Sequence, residues 1–232
     1  MSINVSPEQA VQELILGNQR FVSGCKVLPR SDKEHREKLA EHGQTPFVAV
    51  LACADSRVPV EKIFDMGFGD IFTIRVAGNV IGPDQLGSLE YAVDHLGVSL
   101  IVILGHTDCG AINGAIASLA MKVKKKQKTH VNKLLQKMAP MVQELKNDHP
   151  HLSHEELSRL SVTNNIWHNI KILLEESAHL REVVAEGKLM IYGAVYDLAD
   201  GRVHMLGPHR RQDDIIANNP TPDPVLEEAT GA

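Results

Sequence analysis

Two unbroken apolar runs, Phe47–Ala52 (FVAVLA) and Leu100–Leu104 (LIVIL), each stop abruptly at residues that are costly to bury unpaired. Continuous apolar runs of this length read as strands buried on both faces, the pattern of a parallel sheet covered by helices. Cys53-Ala54-Asp55-Ser56-Arg57 follows the first run, and His106-Thr107-Asp108-Cys109-Gly110 follows the second after Gly105. In an open parallel sheet, ligands bind outside the carboxyl ends of strands, where neighbouring crossovers diverge. If the two strands are neighbours, both clusters face one crevice.

The rest of the chain agrees with that class. Ile71–Val76 and Leu189–Tyr196 are further candidate strands, and Val203–Leu206 is placed beside the last of these after the Asp200-Gly201 turn. Helical stripes recur between them, over Gln85–Leu96 and Ala111–Ala120, with Ile166, Ile170, Leu173, Leu174 and Leu180 on a longer one. Ser6-Pro7-Glu8-Gln9 and Ser153-His154-Glu155-Glu156 are capping boxes that start two helices. Arg30–Glu41 is rich in charge and predicts a surface helix. The expected architecture is α/β: a mostly parallel sheet flanked by helices, with an N-terminal helical arm (residues 1–24), one domain (25–217) whose second half is mainly helical, and a loosely ordered tail (218–232).

Composition excludes several functions. Lys plus Arg is 24 and Asp plus Glu is 29, a net charge of −5 over 232 residues, which gives no support to nucleic-acid binding. No stretch approaches the ~20 apolar residues of a membrane span. Three cysteines cannot all pair within the chain, and the first residues lack a secretory pattern, so a cytoplasmic location is expected.

Pooled, the two clusters hold two thiols, an imidazole and a carboxylate. Thiolates with imidazole suit zinc in a tetrahedral site, with Cys53, His106 and Cys109 as three ligands. Asp55 or solvent takes the fourth position. The residues alone leave two arrangements open: a closed structural site with Asp55 as permanent ligand, or an open site in which Arg57 holds Asp55 off the metal through a bidentate pair. Arg57 has no evident use in the first and a direct one in the second. A cysteine-dependent phosphatase is disfavoured, because such loops place the arginine six residues after the cysteine and Arg57 follows Cys53 by four.

CADSRVPVEKIFDMGFGDIFTIRVAGNVI followed by GHTDCGAI resembles the signature of the β-class carbonic anhydrases, from about Gln44 to Ala115 and more weakly to Tyr196. The resemblance implies a zinc lyase with one Zn2+ per subunit, hydrating carbon dioxide reversibly to bicarbonate by metal-bound hydroxide. It makes Cys53, His106 and Cys109 the zinc ligands and Asp55 with Arg57 the catalytic pair. It implies substrate contacts at Gln44, Phe72, Ala77, Tyr91 and the Gly110 N–H, with a valine commoner than Ala77. It also implies a homodimer or dimer-based oligomer whose N-terminal arm embraces the second subunit and whose Tyr91 serves the partner's site. His95 matches a proton-relay candidate, against which stands the plainer role of a solvated helix histidine. Members regulated by non-catalytic bicarbonate carry a tryptophan three residues before the first cysteine. Here that residue is Val50, so the inhibitory pocket is not expected although Arg75 remains. The alternatives are a related carbon disulfide hydrolase and a non-catalytic zinc-stabilised interaction protein.

Other features point to no chemistry of their own. The lysine run 122–128 reads as a solvated helix end, His149, His151 and His154 as a polar loop, Cys25 as an ordinary thiol, and Trp167 as packing.

Overall fold

A computed structural model of the chain describes residues 5–120 and 129–219. Its five strands are β1 (Val48–Ala52), β2 (Ile71–Arg75), β3 (Leu100–His106), β4 (Met190–Tyr196) and β5 (Val203–Gly207), in the sheet order β2-β1-β3-β4-β5. The first four run parallel and β5 pairs antiparallel with β4 across the turn at Gly201. The two apolar runs are thus neighbours, and Ala52 pairs with Leu104. That single register brings the two polar clusters side by side.

Alternate residues of the central strands feed opposite layers, the period of 2 that a pleated strand imposes. Val48, Val50, Ala52, Leu100, Val102 and Leu104 face a layer that includes α1 (Pro7–Ser23) and the short α3 (Val60–Ile63). Ala49, Leu51, Ile101, Ile103 and Ile191 face α4 (Pro83–Leu96), α7 (His154–Glu176), α8 (Ala178–Ala185) and α9 (Gln212–Asn218). A third cluster lies beyond the strand ends, where α5 (Gly110–Ala120), α6 (His130–Asp148) and α7 pack around Ile112, Ala115, Met138, Val142 and Leu157. Cys53 and Cys109 belong to it.

Both capping boxes form: the Ser6 hydroxyl accepts from the Gln9 N–H, and the Ser153 hydroxyl accepts from the Glu156 N–H. The charged stretch forms α2 (Lys33–His42), capped by Asp32 and without a buried residue. Helix α1 packs on the chain's own core through Ala10, Val11 and Leu14. The buried Asn18 fastens it, donating to the carbonyls of Ile63 and Gly201 and accepting from the Val203 N–H. Nearby, the carboxylate of Asp65 accepts from Arg20 at 2.6 Å and from the N–H groups of Val27 and Leu28.

The expected tail begins inside a helix, since α9 runs to Asn218, and residues 220–232 lie outside the described residues. So does the whole lysine run, which falls within 121–128. Among the described residues no helix is long and apolar enough to cross a membrane.

Candidate metal centre

Cys53 is the first residue beyond β1, His106 is the last of β3, and Cys109 precedes the first turn of α5. Their ligand atoms all lie within 4.8 Å of one another, and this is the one such group of histidine, cysteine and acidic residues among the described residues. All three are buried, His106 completely. The His106 ring is oriented by Nδ1, which lies 2.9 Å from the Thr107 carbonyl and donates to it. That bond fixes the tautomer, leaving a lone pair on Nε2. Nε2 is itself buried without a hydrogen-bond partner among the described residues. A buried acceptor with nothing to accept from is costly, and a cation satisfies it.

The two sulfurs are unequal. A hydrogen bond from the Cys109 thiol holds Cys53 well below the ordinary thiol range against the opposing effect of burial, and the Gly78 N–H, 3.3 Å from its Sγ, adds to this. The same pairing, reinforced by burial, pushes Cys109 up. A dication between two buried sulfurs this close stabilises both as thiolates. The donor set of two soft sulfurs and one imidazole nitrogen fits zinc.

Asp55 and Arg57 form the expected pair. Arg57 Nε and Nη2 donate to the two Asp55 oxygens at 3.0 and 2.8 Å, and the Arg57 backbone N–H adds a third bond at 2.9 Å. The guanidinium holds the Asp55 carboxyl far below the usual carboxylate range, outweighing partial burial. Asp55 Oδ2 lies 4.0 Å from His106 Nε2, so the carboxylate borders the triad while both its oxygens are engaged by Arg57. This is the arrangement in which Arg57 restrains Asp55.

Three supporting roles, those of Asp108, Gly78 and Arg75, are not visible in the sequence. Asp108, at φ 54°, accepts from Arg57 through its carbonyl at 3.2 Å and its carboxylate at 3.5 Å. It is braced by Asn113, which in turn accepts from Ser158 on α7. Gly78 donates to Cys53 as described. Asn165 of α7 holds the Gly78 carbonyl at 2.9 Å. Arg75, read above only as a remnant of an inhibitory pocket, donates to the carbonyls of Cys53 and Asp55 at 3.0 and 2.5 Å. Its guanidinium therefore pins the turn that carries the Asp55–Arg57 pair, and Val50 is wholly buried in β1.

The expected substrate residues divide into two groups. Ala77 opens the 3-10 turn Ala77–Asn79 beside Cys53, and Gly110 opens α5 with open space where a Cβ would stand. Phe72 pairs with Ala49, four residues before Cys53, about 13 Å away along the strand at about 3.3 Å per residue. Its ring lies 6.2 Å from Tyr91, which is 46% exposed and 4.9 Å from the His95 ring. Gln44 is exposed ahead of β1, at the opposite end of the strand from Cys53. Within one chain Gln44, Phe72, Tyr91 and His95 are thus not gathered at the triad. They sit toward the β2 edge and the far end of the sheet. The remaining histidines of interest stay apart from it: the rings of His149 and His151 meet edge to face at 6.3 Å on the exposed end of α6, and Trp167 packs on His209.

Residues 48–203 match the family model described as Carbonic anhydrase. A Mycobacterium tuberculosis protein named carbonic anhydrase 2 is 40% identical over 201 residues, covering 86% of this chain and 92% of the relative. The carbonic anhydrase of Mycolicibacterium smegmatis is 36% identical over 202 residues, covering 87% and 94%. Among solved structures, the β-carbonic anhydrase CafA of Aspergillus fumigatus superposes with a TM-score of 0.66 at 26% identity, over 91% of this chain and 99% of that one. A structure described among two tetrameric β-carbonic anhydrases of Sordaria macrospora gives 0.61 at 28% identity, over 83% and 94%.

Proposed function

The chain belongs to the carbonic anhydrase family, in its β class, and from that membership we propose how its side chains carry the reversible hydration of carbon dioxide to bicarbonate. It is a zinc-dependent carbonate dehydratase. Cys53, His106 and Cys109 hold the metal. Zinc bound there supplies a Lewis acid that activates water for attack near neutral pH.

The protein's own contribution is orientation. Asp55 accepts a hydrogen bond from the attacking water and aims a lone pair at the carbon, and Arg57 keeps the carboxylate ionised and turned for that task. Asp108 and Arg75 brace the pair from the second cluster and from β2. Negative charge develops on the substrate oxygens, and the start of α5 at Gly110 offers that residue's N–H and a positive dipole end to meet it. Ala77 lines the near wall.

Phe72 and Tyr91 complete the apolar substrate wall of a partner subunit's site and Gln44 adds a polar contact there, which makes the working unit a homodimer or a dimer-based oligomer. Two observations support this reading: their distance from the triad along β1 and β2, and the exposure of Tyr91. His95, its ring tilted against that of Tyr91, passes the released proton toward buffer from the same surface. Residues 1–24 form an arm and 25–217 the catalytic domain. The free thiols of Cys25, Cys53 and Cys109 fit a cytoplasmic setting, where sulfur ligands stay reduced.

The observation that carries this assignment is the buried His106 Nε2, without a hydrogen-bond partner among the described residues, facing two thiols beside the Asp55–Arg57 pair. The test is metal analysis together with stopped-flow hydration of carbon dioxide, before and after a chelator and zinc readdition, with carbon disulfide as comparison substrate. One zinc per chain and zinc-restorable hydration are expected. A metal-free preparation with full activity, or turnover of carbon disulfide alone, overturns the assignment.

A further inference from the structure

We infer that Asn165 is a positioning residue for the metal centre, acting through Gly78 on the sulfur of Cys53. Gly78 and Asn79 are consecutive left-handed residues, at φ 73° and 42°, in the turn after β2. Such a pair is not self-supporting, because an L side chain at positive φ is strained. Gly78 is required there twice over: for its φ, and because a Cβ would meet Ala111 Cβ and Met138 Sδ at 3.0 Å. The turn presents the Gly78 N–H to Cys53 Sγ at 3.3 Å.

What holds it in place comes from α7, 87 residues away. Asn165, 1% exposed, donates from Nδ2 to the Gly78 carbonyl at 2.9 Å and reaches Asn79 Oδ1 at 3.5 Å. Its Oδ1 accepts from Asn169 Nδ2 at 3.1 Å, and Asn169 Oδ1 accepts from the Ile81 N–H at 2.7 Å. Two buried carboxamides one helical turn apart thus clamp the turn at both ends. Beside Ile166, Ile170, Leu173 and Leu174 a buried carboxamide is costly unless bonded, and the bonds of Asn165 and Asn169 hold the turn whose Gly78 donates to the Cys53 sulfur.

An N–H bond to a thiolate draws charge from sulfur and fixes the direction of its lone pairs, so it tunes the strength and geometry of ligation. Asn165 sets that bond without touching metal or substrate. This deepens the zinc assignment and rests on it.

The test replaces zinc with cobalt(II) in the full chain and records the sulfur-to-cobalt charge-transfer band, alongside zinc affinity by chelator competition. Asn165→Leu, and the smaller Asn165→Ser in case the first does not fold, are expected to move the band to longer wavelength and weaken zinc binding by about 10- to 100-fold. Ser161→Ala is the control: Ser161 is fully buried on α7 one turn away, with no bond from its hydroxyl among the described residues, and its variant is expected to match the native spectrum. A native chain with no thiolate–cobalt band overturns the metal site itself. A native band that both Asn165 variants leave unmoved, with unchanged zinc affinity, overturns the positioning role alone. A shift in Ser161→Ala equal to that in Asn165→Leu does the same.

Discussion

Removing the Arg57 side chain should trap the site in a closed form while leaving the metal in place. In a tetrahedral centre with bonds of about 2.0–2.1 Å, neighbouring donor atoms lie about 3.4 Å apart. Asp55 Oδ2 is 4.0 Å from His106 Nε2, so it stands only about 0.6 Å outside the separation of a fourth ligand. Two guanidinium bonds at 3.0 and 2.8 Å hold it there, and Arg57→Ala deletes both. The backbone bond at 2.9 Å remains but engages Oδ1 and leaves Oδ2 free to turn inward. A carboxylate in the fourth position excludes the water it formerly oriented. Misplacement of a catalytic group by about 1 Å can cost about 100-fold, and a loss of that order in kcat/KM is expected. Arg57→Lys keeps the charge without the fork and should fall between the two. The assay is stopped-flow hydration on protein whose zinc content is measured in the same preparation. Activity within about threefold of native, or loss of zinc from Arg57→Ala, refutes the reasoning, the second result because it makes Arg57 a structural support of the ligand loops.

Two further outcomes concern the frame around the site. Burial pushes the Asp65 carboxyl up, but Arg20 and the N–H groups of Val27 and Leu28 outweigh it, so its value in the folded chain lies below the ordinary one. The stability it contributes is therefore present above the unfolded carboxyl pKa of about 3.9 and is lost as pH falls through the lower folded value. Asp65→Asn should lower Tm by about 4–8 °C near pH 7, from about 2 kcal/mol, with the gap to native closing below about pH 4. A gap that stays constant down to pH 3 would count against the ionised pairing. Gly17→Ala places a Cβ 1.8 Å from the Phe64 carbonyl oxygen. Helix propensity alone favours Ala by about 1 kcal/mol, yet the clash with backbone should cost about 1–3 kcal/mol or more and decide the sign. A guanidinium unfolding midpoint above that of the native chain would show that α1 does not dock as described.

Much of the centre was legible because its signals are local. Cys53, Asp55 and Arg57 sit within five residues at the end of one apolar run, and His106 and Cys109 within four after another, so pattern and chemistry coincide. The capping boxes at Ser6 and Ser153 and the strand after Asp200-Gly201 were legible for the same reason. What escaped depends on contacts between distant residues. Asn165 and Gly78 are 87 apart, Arg57 and Asp108 are 51 apart, and Arg75 reaches Cys53 over 22, none with a periodicity to announce it. Four-residue α3 is too short to show a helical period. The docking of α1 on its own chain was hidden because an amphipathic face tells what it wants to bury, not on whose surface. Phe72 and Tyr91 carry matched residue types, but only the register of β2 against β1 shows how far they stand from Cys53.

The pairing of Ala52 with Leu104 has a consequence for how the molecule matures. Side chains alternate faces along a strand, so sliding β1 past β3 by a single residue would turn Cys53 to the wrong side of the sheet relative to His106. Metal loading is therefore expected only in chains whose β1 and β3 are aligned so that Cys53, His106 and Cys109 come within 4.8 Å of one another.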